Sequence, residues 1–471
     1  LRREMMFRIA MSFGVLALCG VAGAATWTVD DDGPADFNNI QDAVDAASNS
    51  DEVIVAPGTY TGTGDEVVDM KGRAITLRAS GTAEETIIDG EGQRRVVYCS
   101  SGEDADTVIE GFTITGGSDS HGGGVYCNNS SPTISGCTIS NNTANYSGGG
   151  IYCTGTGSNP SISDCTISNN TATSDGDYGY GGGGIYCTGS STPTITGCTI
   201  TGNAADNLGG GIYCTGTGSN PSISDCTISN NTASFYGGGI YCYDSSSPTI
   251  TGCEISNNTT SYSGGGITCS SSDPSFTDCT ISDNTAPWDG GGIYCGYLSE
   301  PTITDCTITN NTASNGGGIY CFDSSSPAIS GGTISNNSAS GSIYGGNGGG
   351  IYCSDSSSPP LIGCVIAGNT ATNDGGGIYC SVGSNPTISS CTACGNTPDQ
   401  TSGDWTDNGG NSIDTECCPD PTNDGVVSSD DVQSIMNAWN CMTCDSDDVN
   451  FDGVVDVRDL LVALAAWGPC P

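Results

Sequence analysis

The chain is 471 residues long and carries 52 acidic side chains against 9 basic ones and a single histidine, for a formal net charge of −43. Nucleic acid, anionic membrane surfaces and acidic polysaccharides are therefore poor partners unless a cation bridges them. No Lys or Arg occurs between residues 100 and 457, and an acidic surface keeps a long β-rich chain in solution whether or not it binds anything.

At the N-terminus Arg2, Arg3 and Arg8 precede an apolar run over residues 9–21, and Ala22-Gly23-Ala24 offers the small residues of a cleavage site. Residues 1–24 are expected to be a signal peptide, which places the mature protein outside the cell or at its surface and makes disulfides permissible. No later stretch is long and apolar enough to span a bilayer. Residues 25–121 are expected to form a cap and the first, irregular turns of a repeat. Within them the segment 37–47 places Phe37, Ile40, Val44 and Ala47 at a helical period, and such a helix would plug the open end of a stacked core. Strand-like runs follow at 53–55, 74–77, 86–88, 96–98 and 112–114, separated by glycine-containing turns. This opening also holds most of the cations: Lys71, Arg73, Arg78, Arg94 and Arg95.

Between residues 122 and 396 one unit recurs ten times, at Val125, Ile151, Ile185, Ile212, Ile240, Ile267, Ile293, Ile319, Ile351 and Ile378. Most steps are 26 to 28 residues; those into Ile185 and Ile351 are 34 and 32. A fixed period of this size means a solenoid. In the copy GGGIYC…SPTITGCEISNNT, Ile240 and Cys242 share one face of a strand and Tyr241 takes the other. Pro248 introduces a second strand at Thr249-Ile250-Thr251, Gly252 bends the chain, and Cys253-Glu254-Ile255 makes a third. Three short strands and three turns per period form one rung of a right-handed parallel β-helix, with Ile and Cys stacked about 4.8 Å from their counterparts. The second residue of the Asn-Asn turn is asparagine in every copy: Asn142, Asn170, Asn203, Asn231, Asn258, Asn284, Asn311, Asn337, Asn369 and Asn396. Asparagine tolerates left-handed backbone, and stacked amides satisfy one another's donors and acceptors.

This column resembles the asparagine ladder of the pectate-lyase-like β-helix superfamily. The GG-x-I and I-x-x-N alternation is similar to the repeats of bacterial polymorphic outer-membrane and β-helix adhesin proteins. The opening DF-x-x-IQ-x-AV-x-AA with I-x-V-x-PGTY is similar to the start of many secreted β-helix proteins. The resemblance implies an all-β fold, a right-handed parallel β-helix of the pectin lyase-like kind, and leaves the activity open.

Nearly every rung carries one Cys in its first strand and another 10 to 12 residues on, as Cys242 and Cys253; in the eighth, Cys321 is matched by Gly332. Two readings stand: inward thiol columns acting as small hydrophobes, or a disulfide staple across each rung such as Cys242–Cys253. Ligands spread so evenly offer no tetrahedral metal cluster. The outward tyrosines (Tyr126, Tyr152, Tyr186, Tyr213, Tyr241, Tyr294, Tyr320, Tyr352 and Tyr379) form a stripe interrupted by Thr268, either a flat face for neutral sugar rings or a self-stacking ladder. Asp164, Asp225, Asp278 and Asp305 share one repeat position, and none stands out as half of a glycosidase's facing pair. Uronate lysis would need cations that the repeat lacks, so no catalytic residue is assigned. Only the insertions 173–181, with Asp175 and Asp177, and 340–347 break the pattern.

Residues 397–417, rich in Asp, Gly, Ser and Thr, read as linker, and 418–471 as a separate module built on two acidic loops 28 residues apart. In the second loop Asp448, Asn450 and Asp452 offer oxygens at positions 1, 3 and 5, Gly453 permits the turn, Val454 offers a carbonyl, Asp456 acts through water and Asp459 closes the site. Asp420, Thr422, Asp424, Gly425, Val426, Ser428 and Asp431 repeat the set. Each loop precedes a helical pattern, 432–439 and 460–467. Paired loops ending in Asp, each with one helix, resemble a type I dockerin. That resemblance implies a small α-helical EF-hand-type module that folds on Ca2+ and docks a cohesin-like protein. The family's recognition positions fall on Ser429, Asp430, Val457 and Arg458, which depart from the usual small hydroxyl pairs. The leading expectation is a secreted, non-catalytic β-helix surface, scaffold or adhesin-like protein anchored through this module. The alternative is a dockerin-borne protein that degrades or binds polysaccharide, with a neutral polysaccharide as partner.

Overall fold

The computed structural model describes residues 23–174, 180–341 and 345–414, together with the short pair 426–427 and 468–469. The expected signal peptide up to residue 22 and nearly all of the two acidic loops lie outside these residues. Three long parallel sheets wind around one core. Sheet A has fifteen strands, from Thr26–Val29 to Thr406–Asp407; sheet B has fourteen, from Gly58–Tyr60 to Ser412–Asp414; sheet C has thirteen, from Glu66–Asp69 to Thr401–Ser402. Each strand pairs with the one a single turn away, so the chain forms a right-handed parallel β-helix of about fourteen turns. A shorter fourth sheet, D, begins with Ser118–His121 and Thr143–Ser147. No helix among the described residues is long and apolar enough to cross a membrane.

The register is the one the repeat predicts. Ile240 stands beside Ile267 and Cys242 beside Cys269, and both members of each pair are fully buried. Like residues stack on like, so each core column keeps one side-chain shape from turn to turn. Phe276 replaces isoleucine in one rung of sheet A and is equally buried.

The asparagines form the expected ladder. The Asn258 Nδ2 donates to the Ile228 carbonyl at 2.9 Å and to Asn284 Oδ1 at 3.0 Å. Asn258 Oδ1 accepts from both the backbone N–H and the Nδ2 of Asn231, each at 3.0 Å. The ladder begins with the Gly117 N–H donating to Asn142 Oδ1 and ends with Asn396 Nδ2 donating to Gln400 Oε1. A left-handed residue precedes each rung's amide where the chain turns, for example Asn257 at φ 55°.

The N-terminal helix spans Ile40–Ala46, with Asn39 as its N-cap and Ile40, Ala43 and Val44 against the core. Phe37, expected inside it, instead bridges Val29 in an extended segment. The stretch 397–414, read from composition as linker, carries three short strands that pair with Ile378–Cys380, Thr387–Ser389 and Thr392–Cys394, adding another turn. Its strands are mostly Thr, Ser and Asp, with Ile413 the one apolar core contact among them, so the alternation is too faint to register.

The within-rung disulfide is not formed: the cysteines from Cys99 to Cys391 are buried free thiols. Cys242 sits in sheet C, whereas Cys253 occupies the corner between Thr249–Thr251 of sheet A and Glu254–Ser256 of sheet B. Each stacks instead on its equivalents in the neighbouring rungs, Cys242 between Cys214 and Cys269 and Cys253 beside Cys226 and Cys279.

Asn258→Ala would leave the Asn231 backbone N–H and one of its two Nδ2 hydrogens without partners inside the protein, while the other Nδ2 hydrogen keeps the Ile200 carbonyl. At roughly 1–3 kcal/mol per buried unpaired group, guanidinium denaturation should show a loss of about 3 kcal/mol or more. Asn142→Ala, whose oxygen serves only Gly117, should cost less.

Candidate functional site

The described cations all lie in the first turns, and most are held by carboxylates or carbonyls. Lys71 meets Asp45 at 2.7 Å, Arg78 meets Glu52 at 2.5 Å, and Arg73 gives its two Nη groups to the carbonyls of Ala47 and Asp45, its Nε being buried without a partner. Arg94 and Arg95 stand where the irregular turns hand over to the regular repeat. There an open cleft of about 590 Å³ is lined by Gly64, Asp65, Glu66, Gln93, Arg94, Arg95, Tyr98 and Asp119.

Parallel stacking assembles this cleft. Glu66 opens the first strand of sheet C and faces Arg95, which opens the second; Tyr98 lies three residues further along that strand. Asp119 and His121 come from Ser118–His121, the first strand of sheet D. The Arg95 Nη2 donates to the His121 carbonyl at 2.8 Å and meets Asp119 Oδ1 at 2.9 Å. Its Nε donates to the Gly122 carbonyl at 3.1 Å, and its guanidinium lies 4.5 Å from the Tyr126 ring and 5.1 Å from that of Tyr98. Arg95 thus pins the entry into the glycine run of the first regular rung.

Arg94 is arranged differently. Its side chain is only 13% exposed, yet its contacts are long: 3.4 Å to Glu91 and 3.4 Å to the Gln93 side chain. Its Nε and Nη1 are buried with no hydrogen-bond partner. Unpaired guanidinium N–H groups in a sheltered place are costly, and a ligand bearing acceptors relieves that cost. The same cleft supplies acceptors in Asp65, Glu66 and Asp119 and an aromatic wall in Tyr98.

Burial, then Asp69, raises the Glu66 carboxyl above its ordinary range. Burial and the Arg95 charge lower His121, so its imidazole is neutral near pH 7. That ring meets the edge of Tyr152 at 4.9 Å and Tyr146 at 5.5 Å. Tyr98, Tyr126, Tyr152 and Tyr186 stack at 5.4, 5.4 and 5.2 Å with planes within 20°. Further along, Tyr213 is 1% exposed, with Leu208 and Tyr236 packed against its cluster. The stripe is therefore mainly a self-stacking ladder, with Tyr98 reaching the cleft.

The repeat carboxylates have another explanation. Asp164, Asp225, Asp278 and Asp305 are exposed and hold φ near 52°, the position that Gly136, Gly197 and Gly252 fill in other rungs. A left-handed corner selects Gly or Asp there, without reference to chemistry. Asp175 and Asp177 lie outside the described residues. So do the calcium-ligand candidates Asp420, Thr422, Asp424, Ser428, Asp431, Asp448, Asn450, Asp452, Val454, Asp456 and Asp459, and the recognition candidates Ser429, Asp430, Val457 and Arg458. Val426–Val427 is described as an antiparallel partner of Gly468–Pro469.

Sequence reasoning searched the regular repeat and passed over this cleft. The available signal was spacing: Arg94, Arg95 and the single histidine lie one turn apart, so stacking had to bring them together.

The family model described as "right handed beta helix region" matches residues 95–278, 180–334, 223–393 and 288–438. No curated protein matches the chain in sequence. Among solved structures, the A-module of the Azotobacter vinelandii mannuronan C-5 epimerase AlgE6 is 14% identical, with 80% of this chain and 93% of that one covered and a TM-score of 0.42. A mannuronic acid-specific polysaccharide family 6 lyase from human gut microbiota is 11% identical, covering 78% and 87%, with a TM-score of 0.41. Pectate lyase Pel9A is 14% identical, covering 75% and 79%, with a TM-score of 0.36. None is close enough to carry chemistry over to this chain.

Because the fold holds His121 below its ordinary 6.5, the unfolded chain takes up that proton first as the solution is acidified. The stability contributed by neutral His121 is present above that value and is lost as pH falls below it. His121→Gln should therefore show a smaller drop in thermal midpoint between about pH 7.5 and 5 than the parent; equal drops would contradict the assignment.

Proposed function

The chain belongs to the right-handed β-helix family, and from that premise we propose that it is an exported polysaccharide-binding protein whose sugar subsite is the cleft at Arg94. The observation that carries this reading is the sheltered Arg94 guanidinium, with unpaired Nε and Nη1, in a cleft that three carboxylates, Gln93, Arg95 and a tyrosine also line. Sugar hydroxyls both donate and accept. Arg94 and Gln93 supply donors, Asp65, Glu66 and Asp119 supply acceptors, and Tyr98 offers an aromatic surface.

In this reading residues 1–24 direct export and residues 418–471 provide attachment. Asp420, Asp424, Asp431, Asp448, Asn450, Asp452 and Asp459 hold Ca2+, and the folded module docks a cohesin-like protein. A second reading, cleavage of the bound glycan, is favoured by one observation: burial raises Glu66, which suits a proton donor to a glycosidic oxygen, with Asp119 in the same cleft.

Affinity electrophoresis of the full chain against a panel of neutral and acidic polysaccharides tests the site. Retention on at least one glycan is expected, weakened about tenfold by Arg94→Ala. Retention on none, or retention untouched by the substitution, overturns the proposal. New reducing ends that vanish in Glu66→Gln would establish cleavage. For attachment, adding a calcium chelator should expose residues 418–471 to protease while the β-helix stays intact; identical digestion with and without calcium would remove that part.

A further inference from the structure

The thiols at the corner between sheets A and B are arranged by the register of the strands that follow them. Thr138 pairs with Thr166, Thr166 with Thr199 and Thr199 with Thr227. Cys137, Cys165, Cys198 and Cys226, one residue earlier in each case, therefore rise as a column at the strand spacing of about 4.8 Å. The column continues to Cys306 and stops where Gly332 takes the next place. It resumes as the isolated pair Cys364 and Cys391, with Asn411 beyond.

Each sulphur donates to backbone carbonyls, as Cys198 to Thr196 at 3.4 Å and to Ile162 at 3.6 Å, and neighbouring thiols of the column act on one another's ionisation. That interaction lowers the Cys198 thiol and raises its neighbours Cys165 and Cys226. The column lies just beneath the surface, and in four rungs the residue before the sulphur is an exposed aspartate: Asp164, Asp225, Asp278 or Asp305.

In-register stacking keeps successive Cβ atoms near 4.8 Å, beyond the roughly 3.5–4.5 Å that a disulfide requires. A thiolate–metal–thiolate bridge fits better: with metal–sulphur bonds of about 2.3 Å, a nearly linear bridge spans about 4.6 Å. Thiolates select soft cations, and pairs of sulphurs without a third ligand select a two-coordinate one. We propose that this column binds soft monovalent d10 cations, Cu(I) or Ag(I), each held between the sulphurs of two successive rungs. Each participating thiol releases its proton to solvent, and the alternation of cation and thiolate leaves little net charge buried. The aspartates beside the column and the charge of −43 draw cations to that face.

The test uses the full chain, reduced and in chloride-free buffer, titrated with silver nitrate and weighed by native mass spectrometry. Cys226→Ser removes two bridges and should bind about two silver ions fewer than the parent, whereas Cys137→Ser and Cys364→Ser, each at the end of a run, should bind about one fewer. Cys417, Cys418, Cys441, Cys444 and Cys470 contribute equally to every variant. Identical uptake by parent and variants overturns the proposal, as does zinc uptake falling by the same increments, because zinc takes four ligands. Should Cys226→Ser fail to fold, the two end variants decide.

Discussion

Everything in this molecule depends on one turn offering the next an unchanged partner. A parallel solenoid has no hairpins, so every strand finds its hydrogen bonds in the neighbouring turns. The asparagine ladder shows how strict that demand becomes inside the protein. Each amide uses both donor and acceptor along the axis, and a single non-matching side chain would strand polar groups on two turns at once. The ladder closes on Gln400, whose amide supplies the last oxygen and whose Nε2 returns to the Asn396 carbonyl. A polar column with open ends would be unsatisfied there; this one is capped by a side chain from the additional turn.

That turn also marks where sequence reading ended. The ten regular rungs were legible because Ile, Cys, Asn and Gly recur at positions where an interior column or a left-handed corner admits few alternatives. In the stretch 397–414 those markers are sparse, and composition alone suggested a linker although its backbone pairs with all three sheets. The helix was legible from its period, but its start was not. Phe37 fits a helical spacing and is instead held extended by hydrogen bonds with Thr28 and Asp30.

The candidate site was harder to find for a physical reason. A repeat announces what every turn shares, whereas a binding site is built from what one turn does differently. Arg95 is spent on holding Asp119 and two carbonyls, and only the bonds it makes separate it from Arg94, whose guanidinium is left partly unpaired. Two adjacent arginines in a sequence carry no sign of that division. The thiols pose a similar problem: their even spacing allowed either inward columns or pairs within a turn, and the register decides for columns by placing each sulphur against its own copy in the next.

Because Ile240, Cys242 and Asn258 meet the same residue types at Ile267, Cys269 and Asn284, a whole turn is an interchangeable part. Excising residues 240–266 would set the turn that begins at Ile212 against the one that begins at Ile267, and every ladder bond and every core column, save for Ile223 meeting Phe276, would find the kind of partner it already had. The length of the rod is thus a variable that gene duplication and unequal recombination can change in units of one turn. The cleft at its N-terminal end, formed before the regular turns begin, would be untouched by such changes.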